Sequence, residues 1–374
     1  MPQPDDYAMM ARALQLAERG LYTASPNPRV GCVIARDGRI VGEGFHEKAG
    51  EAHAEVAALK AAGAQAAGTT VYTTLEPCSH QGRTPPCIDA LIEAKVRRVV
   101  AAMQDPNPKV AGSGFERLKR AGIEVESGVL EHEAREINLG FVSRMTRGRP
   151  WIRLKIAASL DGKTALNNGA SRWITDASAR RDGHHWRARS CAVLTGMGTV
   201  RKDDPELNVR EVETTRQPLR VIIDSKLQIP LTSRVLKGGG VLVASALHFP
   251  GLVKRLEKTG AQVALVPGDS GKVGLPQLMQ ELAQREINEV LVEAGMELNG
   301  ALLKAGLVDE LLLYFAPQLF GDTARGMFDL PELTDLSGRR ELNITDLRKV
   351  GGAIRIVARL IEQSADGAPT PAGR

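Results

Sequence analysis

His53-Ala54-Glu55, then Leu75-Glu76-Pro77-Cys78 and, after eight intervening residues, Cys87, is the stretch on which the reading of this chain turns. Zinc takes four tetrahedral ligands, and a catalytic site keeps one position for water. His53, Cys78 and Cys87 supply the other three. Two thiolates balance the dication and still leave it acidic enough to activate water. Glu55 can then carry protons from that water to an amine leaving a ring as ammonia. On a regular helix, residues two apart stand roughly 200° apart around the axis, so His53 and Glu55 should not share one metal. Glu55 is therefore read as the proton shuttle.

The common zinc deaminase signature closes with Cys-x-x-Cys, whereas Ser79–Pro86 separate the two cysteines here. A structural zinc site or two buried thiols is the plainer alternative. Neither has a use for His-x-Glu or for an open coordination position. His80, in the intervening polar loop, reads as a surface or substrate-side residue, and as a metal ligand only if Cys78 or Cys87 is not.

At 374 residues the chain exceeds the size at which single hydrophobic cores stop growing, so two domains are expected. Lys plus Arg of 49 against Asp plus Glu of 44 gives a net charge of +5, with no run of like charge. Such a field favours phosphorylated metabolites. Nucleic-acid binding is not expected, because aromatics are only 4% and the basic residues form no stripe. The first residues, Met1-Pro2-Gln3-Pro4-Asp5-Asp6, lack a basic and then apolar leader, and no run of 18 apolar residues occurs, so a soluble, cytoplasmic protein without membrane contact is expected. Cys32 and Cys191 lie in apolar strands and read as core thiols.

Apolar periodicity alternates along the first half. Helices are expected over Tyr7–Arg19, Ala54–Ala64, Cys87–Ala94, Phe115–Ala121 and Glu131–Arg144, and strands over Val30–Ala35, Arg39–Phe45, Thr69–Thr74, Arg98–Met103 and Ile123–Ser127. Asp37-Gly38 marks a hairpin. The alternation predicts a three-layer α/β domain, with His53 and Cys78 both where a loop enters a helix, whose dipole favours thiolate. Arg147-Gly148-Arg149-Pro150 breaks the last helix before a new strand, Trp151–Ser159. The domains expected are 1–147, 148–363 and a fraying tail over 364–374. The second half alternates again and ends in two extended stretches, Leu342–Lys349 and Ala353–Ile361, which suits a mixed sheet with antiparallel strands at its end. It lacks the Gly-x-Gly-x-x-Gly fingerprint of a standard dinucleotide fold. Val290-Leu291-Val292-Glu293-Ala294-Gly295 is a buried strand running into a turn, which is either a packing turn or a place for a phosphate at a helix start.

These motifs, together with Ser25-Pro26-Asn27-Pro28-Arg29-Val30-Gly31-Cys32, Ser79-His80-Gln81-Gly82-Arg83-Thr84-Pro85-Pro86, Asp105-Pro106-Asn107-Pro108, Lys155–Thr164, Trp173-Ile174-Thr175 and Asp203-Asp204-Pro205, closely resemble the bifunctional pyrimidine deaminase/reductase family of bacterial riboflavin biosynthesis. The resemblance runs from about Tyr7 to about Leu360, and the long cysteine spacing is that family's own variant. It implies a cytidine-deaminase-like three-layer αβα domain followed by a dihydrofolate-reductase-like α/β domain. The implied cofactors are zinc and NADPH. The implied reactions are hydrolytic deamination of 2,5-diamino-6-(5-phosphoribosylamino)pyrimidin-4(3H)-one and then reduction of its ribosyl group. By matching positions it also implies that Ala157, Trp173, Thr199, Asp203 and Gly295 lie on the cofactor side, and Ser171, Arg187, Leu207, Arg210 and Glu293 on the substrate side. A ribose phosphate calls for arginine, which supports Arg187 and Arg210, although each also reads as a solvated surface residue. Lys155 and Asp203 are candidates for orienting the sugar or giving a proton, and Trp173 is either core or packed on a ring. The expected partner is the phosphoribosyl pyrimidine itself, and a homo-oligomer is expected. Two rivals remain open at this point: a deaminase whose second half binds nucleic acid, and a scaffold on a dead catalytic fold.

Overall fold

The computed structural model describes residues 3–79, 85–108 and 110–361; His80 and the expected tail over 364–374 lie outside the described residues. The chain divides into two compact units, Met1–Arg149 and Pro150–Arg374.

In the first unit, α1 (Pro4–Glu18) precedes the hairpin of β1 (Gly31–Arg36) and β2 (Arg39–Phe45), whose turn takes positive φ at Asp37 and Gly38. Then come α2 (Ala54–Ala62), β3 (Thr70–Thr73), α3 (Cys87–Glu93), β4 (Arg98–Ala101), α4 (Ser113–Arg120), β5 (Glu124–Ser127), α5 (Glu131–Ile137) and α6 (Leu139–Arg147). The described strands form one sheet in the order β2-β1-β3-β4-β5, with β1 antiparallel to both neighbours and the last three parallel.

The register gives the layers. Cys32 stands opposite Gly44 and Thr73, on the face that meets α2: Thr73 Oγ1 donates to Glu55, and a Cβ on Gly44 would run into the α2 backbone. Val33 stands opposite Glu43 and Tyr72, which reach Arg12 and Asp6 of α1 on the other face. Helices therefore cover both sides of the sheet. Glycines set how near α2 can lie. A Cβ at Gly44 would stand 2.5 Å from the Ala58 nitrogen and 2.6 Å from the Ala54 carbonyl, and one at Gly42 2.4 Å from the Ala58 carbonyl. A larger residue at either position would push α2 outward, and His53 and Glu55 with it.

One helix expected over Glu131–Arg144 is two, because α5 and α6 break at Asn138. The Asn138 side chain accepts from Arg29 N–H at 2.8 Å and donates to the Arg29 carbonyl at 2.9 Å, and this tie to the turn before β1 replaces helical continuity.

The second unit runs β6 (Trp151–Ser159), α7 (Ala177–Arg189), β7 (Ala192–Gly196), α8 (Met197–Asp203), β8 (Leu219–Ile223), β9 (Val241–Ser245), α9 (Pro250–Glu257), β10 (Gln262–Leu265), α10 (Leu275–Gln284), β11 (Glu289–Val292), α11 (Met296–Lys304), β12 (Glu310–Ala316), β13 (Leu342–Val350) and β14 (Ala353–Leu360). Its described strands form a sheet in the order β10-β9-β8-β7-β11-β6-β12-β14-β13. Strands β10 to β12 in that order are parallel, and β14 and β13 are antiparallel. Successive residues feed opposite cores, Leu194 and Leu242 one and Val193 and Val243 the other, which explains the unbroken apolar runs. Helix α8 leaves little trace in the apolar periodicity of the sequence. It is short, and Gly196 and Gly198 at its start hide its period.

Among the described residues no helix is long and apolar enough to cross a membrane.

Candidate active sites

His53 caps the N-terminus of α2 in an extended conformation, and Glu55 follows inside the first turn. The regular-helix separation expected of the two residues does not apply, since His53 is outside the helix. What separates them is direction. His53 Nδ1 lies 3.0 Å from Cys87 Sγ and 3.5 Å from Cys78 Sγ, whereas the buried Glu55 carboxylate accepts from Thr73 Oγ1 at 3.2 Å.

Cys87 is the first residue of α3. Cys78 is not at a helix entry as expected. It sits in the loop leaving β3, and α3 starts at Cys87, directly after Pro86 at its N-cap. Its sulfur nevertheless accepts the Cys87 N–H at 3.2 Å, one of the free donors at the start of α3. The two sulfurs are 3.2 Å apart, and all three donor atoms lie within 4.8 Å of one another. Tetrahedral zinc bonds of roughly 2.0–2.3 Å put ligand atoms about 3.6 Å apart. The set fits zinc.

The Cys87 thiol holds the Cys78 thiol down at about 4, against burial and with help from His53. The same contact, with burial, pushes the Cys87 thiol up. The hydrogen bond to Cys78 raises His53. Burial raises the Glu55 carboxyl, and the Cys78 charge adds to it, which suits a group that takes and returns protons.

Two neighbours were not singled out from sequence. His46 Nδ1 contacts the Ala52 carbonyl at 3.1 Å, so its Nε2 accepts from Asn27 Nδ2 at 3.0 Å, and its ring meets that of His53 edge-on at 5.2 Å. Burial lowers its pKa. The usable signal was position, since His46 directly follows the close-packed Gly44-Phe45 and Asn27 sits between two prolines.

In the second unit the expected residues gather at the carboxyl ends of neighbouring strands, where open α/β sheets bind ligands. Ala157 is near the end of β6, Thr199 and Asp203 are on α8 just after β7, and Glu293 and Gly295 follow β11. Glu293 N–H donates to the Leu194 carbonyl at 2.9 Å, and Thr195 Oγ1 donates to the Glu293 carbonyl at 2.7 Å, tying the β7 and β11 exits together. Gly295 caps α11 and is exposed. Thr199, Asp203 and Ser171 are half-buried.

Arg187 grips Glu293 with Nε at 2.5 Å and Nη2 at 2.9 Å and donates from Nη1 to the Asn208 carbonyl at 3.0 Å. Lys155 Nζ stands 3.8 Å from the same carboxylate. Burial alone would raise Glu293, but Arg187 and Lys155 outweigh it and bring it down to about 2. Burial lowers Lys155, Glu293 opposing and Arg187 assisting. Burial and the cations Arg187 and Arg210 hold His184 down at about 4, so it is neutral. Arg210 is exposed, with Nη1 3.2 Å from Asn208 Oδ1, and Leu207 is buried. Trp173 is not core: it is 68% exposed, with the Arg180 guanidinium 4.5 Å over its ring.

The family described as the cytidine and deoxycytidylate deaminase zinc-binding region matches residues 3–103, and the RibD C-terminal domain family matches 150–355. The chain is 49% identical to the riboflavin biosynthesis protein RibD of Escherichia coli, covering 93% of this chain and 97% of that one. This chain belongs to the RibD family. A RibD structure from Acinetobacter baumannii is 45% identical with a TM-score of 0.90, over 96% of this chain and 99% of that one. A diaminohydroxyphosphoribosylaminopyrimidine deaminase/5-amino-6-(5-phosphoribosylamino)uracil reductase from Thermotoga maritima is 35% identical with a TM-score of 0.83, over 95% and 99%. The first unit is cytidine-deaminase-like and the second is a RibD reductase domain, which removes both rival readings.

Proposed function

We propose that the chain carries out two consecutive steps of riboflavin biosynthesis, a zinc-dependent hydrolytic deamination in unit Met1–Arg149 and an NADPH-dependent reduction in unit Pro150–Arg374. The substrate of the first step is 2,5-diamino-6-(5-phosphoribosylamino)pyrimidin-4(3H)-one, which gives the uracil and ammonia. The second step gives 5-amino-6-(5-phosphoribitylamino)uracil. The observation that carries the first step is one histidine and two sulfurs converging beside a buried Glu55, whose carboxyl burial raises.

His53, Cys78 and Cys87 hold zinc, which when bound makes water nucleophilic near neutral pH. Glu55 accepts a proton from that water and passes protons to the ring and to the departing amine, so a carbon–nitrogen bond is exchanged for a carbon–oxygen bond with loss of ammonia. Its burial keeps competing water off the carboxylate. In the second unit NADPH supplies the hydride for the sugar carbon. Ala157, Trp173, Thr199, Asp203 and Gly295 line the cofactor side, and Ser171, Arg187, Leu207, Arg210 and Glu293 the substrate side. Arg187 and Lys155 keep Glu293 charged and fixed in direction, and Lys155 or Asp203 orients the sugar or gives the proton. Arg210, half exposed and paired only loosely with Glu206 at 3.8 Å, is the arginine better placed to take the phosphate.

The chain is also proposed to work in the cytoplasm, in keeping with its four free cysteines, and as a homo-oligomer. Exposed Leu342, Ile344 and Leu347 on β13, the outermost described strand, support the assembly. The experiment is a coupled assay with the diaminopyrimidine phosphate and NADPH that follows ammonia and nicotinamide absorbance, with light scattering for the mass. Ammonia without NADPH oxidation would leave only the first half of the proposal.

A further inference from the structure

Glu76 is buried, only 4% exposed. Its partners are backbone amides. Oε1 accepts from Gly114 N–H at 2.8 Å and Phe115 N–H at 3.4 Å, and Oε2 accepts from Gly112 N–H at 3.0 Å and Asp105 N–H at 3.1 Å. Three of these amides open α4, and the fourth belongs to the turn Asp105-Pro106-Asn107-Pro108, whose Asp105 also accepts from Asn107 N–H at 2.8 Å. A carboxylate with four donors from two segments is a clamp, and the negative charge suits a helix start.

Cys78 is only two residues away, across Pro77, whose ring fixes φ. On its α3 side Cys78 is held by the Cys87 N–H at 3.2 Å and by a long 3.4 Å bond from Ile88 N–H to its carbonyl. On the other side the segment is held by Glu76: by its carboxylate, and by its own N–H donating to the Met103 carbonyl at 2.9 Å. Contact with α4 continues on both flanks. Ser79 Oγ and Ser113 Oγ are 2.7 Å apart, and a Cβ on Gly114 would come 2.5 Å from the Pro77 carbonyl and 2.8 Å from Glu76 Oε1.

We infer that Glu76 is a positioning residue for the metal centre: its carboxylate locks α4 and the Asp105–Pro108 turn to the Glu76-Pro77-Cys78 segment and so sets where the Cys78 sulfur stands. The inference rests on the zinc reading of His53, Cys78 and Cys87. It gives the Asp105–Pro108 motif and the α4 start a purpose that the chemistry alone does not. An amide at position 76 has one acceptor oxygen and turns an NH2 group against two N–H donors, so Glu76→Gln cannot rebuild the clamp. Glu76→Asp keeps both oxygens on a shorter arm.

The test uses the full chain. Zinc affinity is measured by competition with a chromophoric chelator, and the cobalt-substituted protein is read by its thiolate-to-metal and d–d bands. Glu76→Gln should bind zinc roughly 10–100-fold more weakly, the usual cost of losing a residue that orients a ligand, with shifted cobalt bands. Glu76→Asp should fall between it and the parent. Turnover of Glu76→Gln at saturating zinc should recover to within a few-fold, because Glu76 touches no reacting atom. Gly114→Ala, which drives α4 off Pro77 from the opposite side, should shift the same bands, and it takes over the reading if Glu76→Gln does not fold. Zinc affinity within twofold of the parent together with unshifted cobalt bands, in whichever variant folds, overturns the inference. If the parent chain itself binds no zinc, the underlying reading of the triad fails instead.

Discussion

Removing Arg210 and removing Arg187 should damage the reduction in two distinguishable ways. The Arg210 side chain is half exposed, 3.2 Å from Asn208 Oδ1 and 3.8 Å from Glu206, so most of its five N–H donors stay free for a phosphate. A charge-assisted hydrogen bond contributes about 1.5–3 kcal/mol. Arg210→Ala should therefore cost roughly 10–150-fold in kcat/KM for the phosphorylated substrate. It should cost almost nothing for the dephosphorylated analogue, because the lost partner was the phosphate. Arg210→Lys should recover part of the difference, keeping the charge without the fork.

Arg187→Ala removes a different interaction. It leaves Glu293, a side chain only 14% exposed, without its two-pronged partner. Breaking a buried pair costs about 3–5 kcal/mol, which Lys155 at 3.8 Å partly offsets. That loss should fall on both substrates alike, and NADPH affinity should barely move in either variant. The assay is steady-state NADPH oxidation with the deaminated substrate and its dephosphorylated analogue. Equal slowing of both by Arg210→Ala would refute the phosphate contact, and a changed ratio in Arg187→Ala would show that Arg187 binds phosphate in spite of Glu293.

Glu55→Gln should keep about one zinc by metal analysis, since Glu55 lies outside the His53, Cys78 and Cys87 cluster, while ammonia release nearly vanishes and reduction of supplied deaminated substrate stays within a few-fold. Stripping the metal with a chelator should abolish deamination, spare NADPH oxidation, and be reversed by added zinc; loss of both activities would contradict separate sites. The acid stability of the second unit should depend on Glu293. Its folded carboxyl is held at about 2 against an ordinary 4.5, so the stabilisation is complete above pH ~4.5 and fades as pH falls towards 2, about 3 kcal/mol in all. Calorimetric Tm against pH should therefore fall more steeply below 4.5 in the parent than in Glu293→Gln, and parallel curves would remove this contribution.

The zinc triad was legible because its chemistry demands particular residue types, and the strands were legible because their apolar runs are long and bounded by glycine and proline. Where the chain was misread, a side chain outside the local window decided. Asn138 breaks a helix that is periodic in sequence because its partner, Arg29, is 109 residues away. Cys78 reaches the start of α3 through its sulfur and the Cys87 N–H rather than by its place in the chain, which a helix-entry expectation passes over. Glu76 looked like one more residue of a motif, since its partners are backbone amides of any residue type. Arg187 and Arg210 were indistinguishable as arginines, and only the position of Glu293 separates them.

The place of β6 in the second sheet carries a cost in time. It is the first strand of its unit to be synthesised, yet its neighbours are β11 and β12: Trp151 pairs with Glu289, and Arg153 with Glu310. At roughly 5–20 residues per second, the ribosome needs about 8–32 seconds to deliver both partners. Throughout that interval an apolar strand waits with both edges open, although the sheet of the first unit is already complete in sequence. Chaperone demand and aggregation during expression should therefore track the second unit, and slowing translation before β11 should worsen both.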